Sequence, residues 1–288
     1  MEMNKKVLVA MSGGVDSSVA AYLMQKRGFE PIGAMMKLYD GVEDGHGRGC
    51  CGTKDADDAR AVAALLGIPF YVFNFASYFR KEVIGRFVAA YESGLTPNPC
   101  IECNRHMKFG RFMAQAEKLG ARAVVTGHYA KITVSQGRYV LERALDTKKD
   151  QTYFLYSLTQ DELSRTFFPL GYLTKDEVRE IARSRGFVNA KKRESQDICF
   201  VPGGDYAGFM RQYTRTDPKE GDFVSECGQV LGRHRGLIHY TIGQRKGLGL
   251  SAREPLYVLG LDTSSRNVIV GGQDSLYATV WQTGPDEL

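Results

Sequence analysis

Apolar and polar positions alternate between two periods along the first half of the chain. Residues 6–11 (KVLVAM) form a short apolar run that breaks at Ser-Gly-Gly, which predicts a buried strand feeding a tight turn. Residues 17–27 (SSVAAYLMQKR) place Val19, Tyr22 and Leu23 on one helical face, and Gly28 stands where such a helix stops. PIGAMMKL (31–38) predicts a second strand, Asp55–Leu66 a second helix closed by Gly67, and Phe70–Phe75 a third strand. Helices are expected over Tyr78–Tyr91 and Arg105–Leu119, and a strand over Ala123–Val125 that ends in Thr-Gly-His. Strand and helix take turns throughout, so the fold class expected is α/β with a doubly wound parallel sheet.

The pattern changes after residue 140. TKDEVREIARSRG (174–186) reads as a capped helix, with Thr174 as N-cap and Glu177 three residues on. From Gly221 the segments are short, β-prone and glycine-rich (FVSECGQVLG, GLIHYTIG, PLYVLGLD, NVIVGG), which predicts a small antiparallel barrel or sandwich. The expected division is a first domain over residues 1–205, with a helical extension over 146–205, and a β-rich domain over 206–288.

Composition adds limits rather than a function. With 43% hydrophobic and 25% charged residues the chain is ordinary for a globular protein. Its apolar runs, such as Val7–Met11 and Ala61–Leu66, fall far short of the roughly 18 residues that span a bilayer. The run after MEMNKK is too short for a signal peptide, so no membrane association and a cytoplasmic location are expected. Six cysteines in such a chain point to reactive thiols or ligands, not to a disulfide framework. Cys50 and Cys51 are adjacent, Cys100 and Cys103 form a CxxC, and Cys199 and Cys227 stand alone. No second CxxC accompanies the first, which argues against a four-cysteine zinc site. The net charge is +5, and the window Arg179–Arg253 holds 14 Lys and Arg against 8 Asp and Glu. That excess is either a solvated face or a surface for a polyanion.

The first strand runs into AMSGGVDSS, residues 10–18. Glycines between a strand and a helix let backbone N–H groups close on phosphate, and the helix N-terminus favours the negative charge. No lysine follows the glycines, so this is not the loop of phosphoryl-transfer NTPases, and it is not GxGxxG. Ser12 and Ser17 flank the glycines, and Asp16 offers a carboxylate for Mg²⁺. Such a loop suits cleavage between the α- and β-phosphates, leaving AMP on an acceptor.

SGGVDS resembles the signature of the PP-loop ATP pyrophosphatase superfamily (adenine nucleotide alpha hydrolase-like). TPNPCIECNRHMKFG (96–110), TGHYA (126–130), KKDQTYFLYSL (148–158), ESQDICF (194–200) and GLIHYTIGQRKGLG (236–249) narrow the resemblance to the tRNA-specific 2-thiouridylases. That resemblance implies ATP-dependent 2-thiolation of the wobble uridine of tRNA. Ala10, Met11, Ser12, Gly13, Gly14, Val15, Asp16 and Ser17 would bind ATP, with Met36 and Gly127 lining the nucleotide pocket. Cys103 would be the nucleophile and Cys199 the persulfide carrier. Asn98, Pro99 and Cys100 would form the loop touching the base, and His128, Lys149, Asp150 and Gln151 would contact tRNA. A sulfur-donor protein, a cysteine desulfurase or a sulfur relay, is the implied partner, together with tRNA.

Thiol chemistry leaves two routes open. Cys103 can attack a Cys199 persulfide, release sulfide and leave a Cys103–Cys199 disulfide. Alternatively Cys100, which stands where many relatives carry Asp, joins Cys103 and Cys199 as ligands of a [4Fe–4S] cluster. The family usually continues into another β-barrel, whereas this chain stops at WQTGPDEL. Two competing readings keep parts of the pattern: a PP-loop enzyme thiolating or amidating another acceptor, and a short non-catalytic RNA-binding paralogue. The paired cysteines speak against amidation, and the intact loop speaks against loss of catalysis.

Overall fold

The structure is a computed structural model that describes residues 4–39, 52–193 and 198–277. Cys50, Cys51 and residues 194–197 of the ESQDICF motif lie outside the described residues. The chain forms two compact units, Met1–Gly85 with Asn98–Pro202, and Arg86–Pro97 with Gly203–Leu288.

In chain order the elements up to the first unit's close are β1 (Lys6–Ala10), α1 (Val15–Lys26), β2 (Glu30–Lys37), α2 (Thr53–Leu66), β3 (Phe70–Asn74) and α3 (Ala76–Phe79). A π-helical stretch, Arg80–Ile84, leads into α4 (Gly85–Glu92). Then α5 (Pro99–Glu102) runs through a second π-helical stretch, Cys103–Arg111, into α6 (Phe112–Lys118). β4 (Ala123–Val125), β5 (Ala130–Ser135), β6 (Arg138–Arg143), α7 (Gln160–Ser164), β7 (Thr166–Phe167) and α8 (Lys175–Ser184) complete it.

Five strands form one sheet in the order β3-β2-β1-β4-β7, and every pair is parallel. β1 is central because Val7, Leu8 and Val9 are apolar on both faces, as a strand covered from both sides must be. Val7, Val9, Met35 and Val125 point to one face, where they pack with Val19 and Met24 of α1, Val62 of α2, and Val178 and Ala182 of α8. Phe70 joins that face, so Phe73 of the same strand points the other way, where it meets Phe112 of α6 edge-on at 6.2 Å. Helices therefore cover both faces of a parallel sheet, as the alternating pattern predicts.

The β5–β6 hairpin was not legible in the sequence. Its strands pair antiparallel from Ala130↔Arg143 to Ser135↔Arg138, across a two-residue turn at Gln136 and Gly137. Both turn residues have positive φ (49° and 76°), the type I′ geometry that matches strand twist. Gln where Asn or Asp is usual hid the signal.

In the second unit α9 (Tyr206–Thr214) precedes β8 (Gly221–Ser225), β9 (Val230–His234), β10 (Tyr257–Asp262) and β11 (Asn267–Gly271). The sheet order is β10-β11-β8-β9. Two antiparallel hairpins are present as expected, and they join through a parallel pair, β11 beside β8. Phe223, Tyr240, Leu248, Val258, Val268 and Val270 form its core. Segment 86–97, which the alternation assigns to the first domain, belongs to this unit. Phe87 reaches Phe209 at 6.2 Å and Tyr206 at 6.4 Å.

The α8 cap is formed as its sequence predicts. The Glu177 N–H donates to Thr174 Oγ1 at 3.3 Å, and the Thr174 N–H donates to Glu177 Oε2 at 2.7 Å. Thr174→Ala is expected to cost about 1 kcal/mol of stability, measured by urea denaturation; an unchanged midpoint would show that packing alone sets this helix start.

Candidate active site

The β1–α1 loop is closed by its own hydroxyls. The Ser12 N–H donates to Ser17 Oγ at 3.2 Å, while Ser17 Oγ and Ser18 Oγ donate to Gly14 O at 3.1 and 3.0 Å. Gly13 has φ +75°, and a Cβ there would lie 2.2 Å from Asp55 O, so the loop is wedged against α2 as only glycine allows. Gly14 is the N-cap of α1 and gives it no side-chain cap, which leaves first-turn N–H groups for an anion. Gly127, just after β4, crosses the same loop closely enough that a Cβ would be 2.9 Å from Ser17 N. Met36, half-buried at the end of β2, sits one strand over in register with Phe73.

Asp16 departs from expectation. Both its carboxylate oxygens accept from Lys175 Nζ, at 2.7 and 2.8 Å, and Oδ1 also accepts from the Tyr129 hydroxyl at 3.0 Å. Lys175 is only 7% exposed, and its ammonium lies 5.7 Å from the Tyr129 ring centroid. With an ammonium on both oxygens, Asp16 does not fit a directly bound Mg²⁺. The structure instead supplies a lysine, from a helix 159 residues away, to the loop that lacks one in sequence. A signal existed: Lys175 occupies the first turn of α8, where the helix dipole favours acids.

The KKDQ segment works inside the fold. Asp150 accepts from the Ala144 N–H at 2.9 Å and the Thr152 hydroxyl at 2.6 Å. Gln151 Oε1 accepts from the Tyr129 N–H, and the Gln151 N–H donates to Tyr129 O, which fixes the residue that touches Asp16. Lys149 is half-buried. His128 is 8% exposed, with Lys108 Nζ donating to Nε2 at 3.1 Å and Nδ1 2.7 Å from Thr126 Oγ1. Lys108 has no acceptor capacity, so Nδ1 carries the ring proton. Burial, and then the Lys108 charge, hold the His128 pKa well below its usual value. The buried ring is thus held neutral between Thr126 and Lys108.

Asn98 caps α5, its Oδ1 accepting from the Cys100 N–H at 3.1 Å, and buried Pro99 takes the first helical position. Cys100 is exposed, and Cys103 and Cys199 are half-buried. Cys103 opens the π-helical stretch, a rare conformation that is frequent at functional sites. Its neighbour Asn104, 1% exposed, donates from Nδ2 to Phe154 O at 2.7 Å, and its Oδ1 has no hydrogen-bond partner among the described residues. Phe200, next to Cys199, packs edge-on against Phe79 at 5.6 Å, while α5 packs on the Arg80–Ile84 turn that follows Phe79. Both cysteine-bearing segments thus rest on one helical stretch. Among the described residues no three His, Cys, Asp or Glu side chains converge as metal ligands, so Cys100, Cys103 and Cys199 do not form a cluster cradle. Within the basic window Arg183 pairs with Glu180, Arg233 with Asp222, and Lys192 with Asp55 and Asp58.

The chain matches the family model described as the tRNA methyl transferase HUP domain over residues 5–203, and the tRNA methyl transferase PRC-barrel domain over residues 207–272. It is 47% identical to the tRNA-specific 2-thiouridylase MnmA of Clostridioides difficile, over 96% of this chain and 78% of that protein. The chain belongs to the tRNA-specific 2-thiouridylase family. The family member from Acidithiobacillus ferrooxidans is 48% identical, over 96% of this chain and 77% of its own length. Among solved structures the U34-tRNA thiolase NcsA from Methanococcus maripaludis with its [4Fe-4S] cluster is similar at 19% identity and a TM-score of 0.44, over 73% of this chain and 66% of that one. Of the family's expected site, the structure brings Ser12–Ser17 and Gly127 together, and adds Lys175 and Tyr129, which sequence reasoning missed.

His128 gives a pH test. Its folded pKa lies below the unfolded value of about 6.5, so below that pH the unfolded chain binds a proton that the native chain does not. Stability should fall as pH drops below 6.5, by up to about 1.4 kcal/mol per pH unit from this residue. His128→Gln should flatten that slope in denaturant titrations at pH 5–7; an identical slope in the variant would contradict the burial of a neutral ring.

Proposed function

We propose that the chain is the ATP-dependent sulfurtransferase that replaces the C2 oxygen of the tRNA wobble uridine by sulfur. The observation that carries this reading is identity of 47% to a 2-thiouridylase over 96% of the chain.

The C2 oxygen of uracil is a poor leaving group, and adenylation by ATP makes it a better one. The uncapped N-terminus of α1 and the Ser12–Ser17 loop suit the pyrophosphate, and Lys175 supplies the positive charge. Met36 and Gly127 line the adenosine side. As arranged here, Asp16 with Lys175 on both oxygens does not fit Mg²⁺, and the three thiols do not converge as cluster ligands among the described residues. Sulfur arrives as a persulfide on Cys199, loaded by a sulfur-donor protein. The Cys103 thiolate attacks the Cys199 sulfur, the persulfide S–S bond breaks, and hydrosulfide leaves with the electron pair. Hydrosulfide adds at C2, the C–O bond breaks, and AMP departs. A Cys103–Cys199 disulfide remains, which an external dithiol reduces. Basic residues in Arg179–Arg193 and Arg233–Lys246 hold the tRNA backbone. The same reading places the enzyme in the cytoplasm with its tRNA; none of the helices among the described residues is long and apolar enough to cross a membrane.

Separating activation from transfer tests the roles. With unmodified tRNA, ATP and a persulfide donor, Lys175→Met should lower pyrophosphate release by about 10²–10³-fold, as for loss of a preorganised charge. Cys199→Ser should keep pyrophosphate release and lose sulfur incorporation. Sulfur transfer at the parent rate by Cys199→Ser would overturn the assignment.

A further inference from the structure

Two tyrosines project from an anchored turn beside the Cys103 stretch. Thr152–Leu155 is a short 3₁₀ turn that packs against both α5 and the π-helical stretch beginning at Cys103. Its inward side is committed to the fold. Leu155 is fully buried, and the Phe154 carbonyl accepts from Asn104 Nδ2 at 2.7 Å. The Thr152 hydroxyl donates to Asp150 Oδ2 at 2.6 Å, and the Gln151 N–H donates to Tyr129 O. Tyr153 and Tyr156 are left outside, 67% and 63% exposed. Neither hydroxyl has a hydrogen-bond partner among the described residues.

A large aromatic ring held in water forgoes the burial that such side chains otherwise gain. Here there are two, three residues apart. Tyr156 continues the turn with φ −59° and ψ −24°, and in 3₁₀ geometry positions i and i+3 eclipse, so both rings rise from one face. Cations border the turn. β6 packs beside it, and Arg143 at the end of β6 and Lys148 in the following loop are exposed. Neither pairs with a carboxylate among the described residues. The Ala144 N–H donates to Asp150 Oδ1, which ties the end of β6 to the root of the turn. Exposed rings with cations at their side match a single-stranded nucleic acid, whose unstacked bases take aromatic faces while its backbone takes positive charge.

We propose that Tyr153 and Tyr156 form a stacking platform for the bases that flank the wobble uridine in the anticodon loop. This rests on the reading of the chain as a tRNA sulfurtransferase. To meet the thiols and the activating nucleotide, that uridine must leave the stack of its neighbours, which costs the loop its stacking. The tyrosines replace the lost partner, each taking one neighbouring base on its ring. Asn104 serves both sides: its backbone follows Cys103 and its carboxamide holds the turn, so the platform and Cys103 keep a fixed separation. Stacking uses the π-face and no base edge, so the platform accepts any neighbouring bases and contributes affinity rather than sequence choice.

The test uses an anticodon stem-loop RNA with 5-iodouridine on one or the other side of the wobble uridine. Irradiation of its complex with the parent chain should cross-link the RNA to Tyr153 or Tyr156, located by peptide mass spectrometry. In fluorescence anisotropy, Tyr153→Ala and Tyr156→Ala should each weaken stem-loop binding about tenfold, with the salt dependence unchanged because no phosphate contact is lost. The Phe variants, which keep the ring, should restore parent affinity. A parent chain that binds the stem-loop but cross-links only at other residues overturns the platform and leaves the tRNA reading standing. So do Ala variants that bind at parent affinity; if they instead lose sulfur loading from a donor protein, the face belongs to that protein. No stem-loop binding by the parent overturns both readings.

Discussion

The pairing of Lys175 with Asp16 is the interaction around which the first unit's site is arranged. A carboxylate at the start of α1 sits where the helix dipole welcomes it, and a nearly buried ammonium caps both its oxygens. Removing one partner of such a pair leaves a poorly solvated charge, a loss of about 3–5 kcal/mol in comparable buried pairs. The pair also fixes the relation of α8 to α1, since Lys175 and the α8 cap are adjacent residues. Tyr129 joins it through its hydroxyl, and Gln151 clasps the Tyr129 backbone on both sides. From Gln151 the chain turns directly into the stretch whose Phe154 carbonyl holds Asn104, next to Cys103. One short segment, 150–154, therefore ties the Ser12–Ser17 loop to the helical stretch that begins at Cys103.

That arrangement explains why charged and polar residues of the site are so often occupied with each other. Asp150, Gln151, His128 and Asn98 have the chemistry of contact residues, and each is spent on holding backbone or side chain in place. Preorganisation of this kind lowers the cost of binding a charged substrate, because groups need not reorient when it arrives.

The sheet was legible because its signals are local. Val7–Val9 and Ala123–Val125 are continuous apolar runs, and Thr174 with Glu177 form the cap that the spacing predicts. The β5–β6 hairpin escaped because Gln136 is an unusual residue for its turn, and β7 because two residues, Thr166 and Phe167, carry no period. At the site, the loop itself was visible as SGGVDS. Its lysine was not, since a contact across 159 residues leaves no trace in local spacing. The same holds for Asn189 and Lys192, whose partners lie in α1 and α2. Sequence similarity named the thiols Cys103 and Cys199, and only the fold shows that both segments lean on one helical stretch.

Sulfur transfer to the wobble uridine is the central claim, and nucleoside mass spectrometry tests it most directly. Unmodified tRNA incubated with the chain, ATP and a persulfide donor would be digested and its wobble nucleoside weighed. The account predicts a product heavier by the replacement of one oxygen with one sulfur, at C2 of the wobble uridine, and dependent on ATP. A wobble uridine of unchanged mass, or sulfur placed at another base, would contradict it.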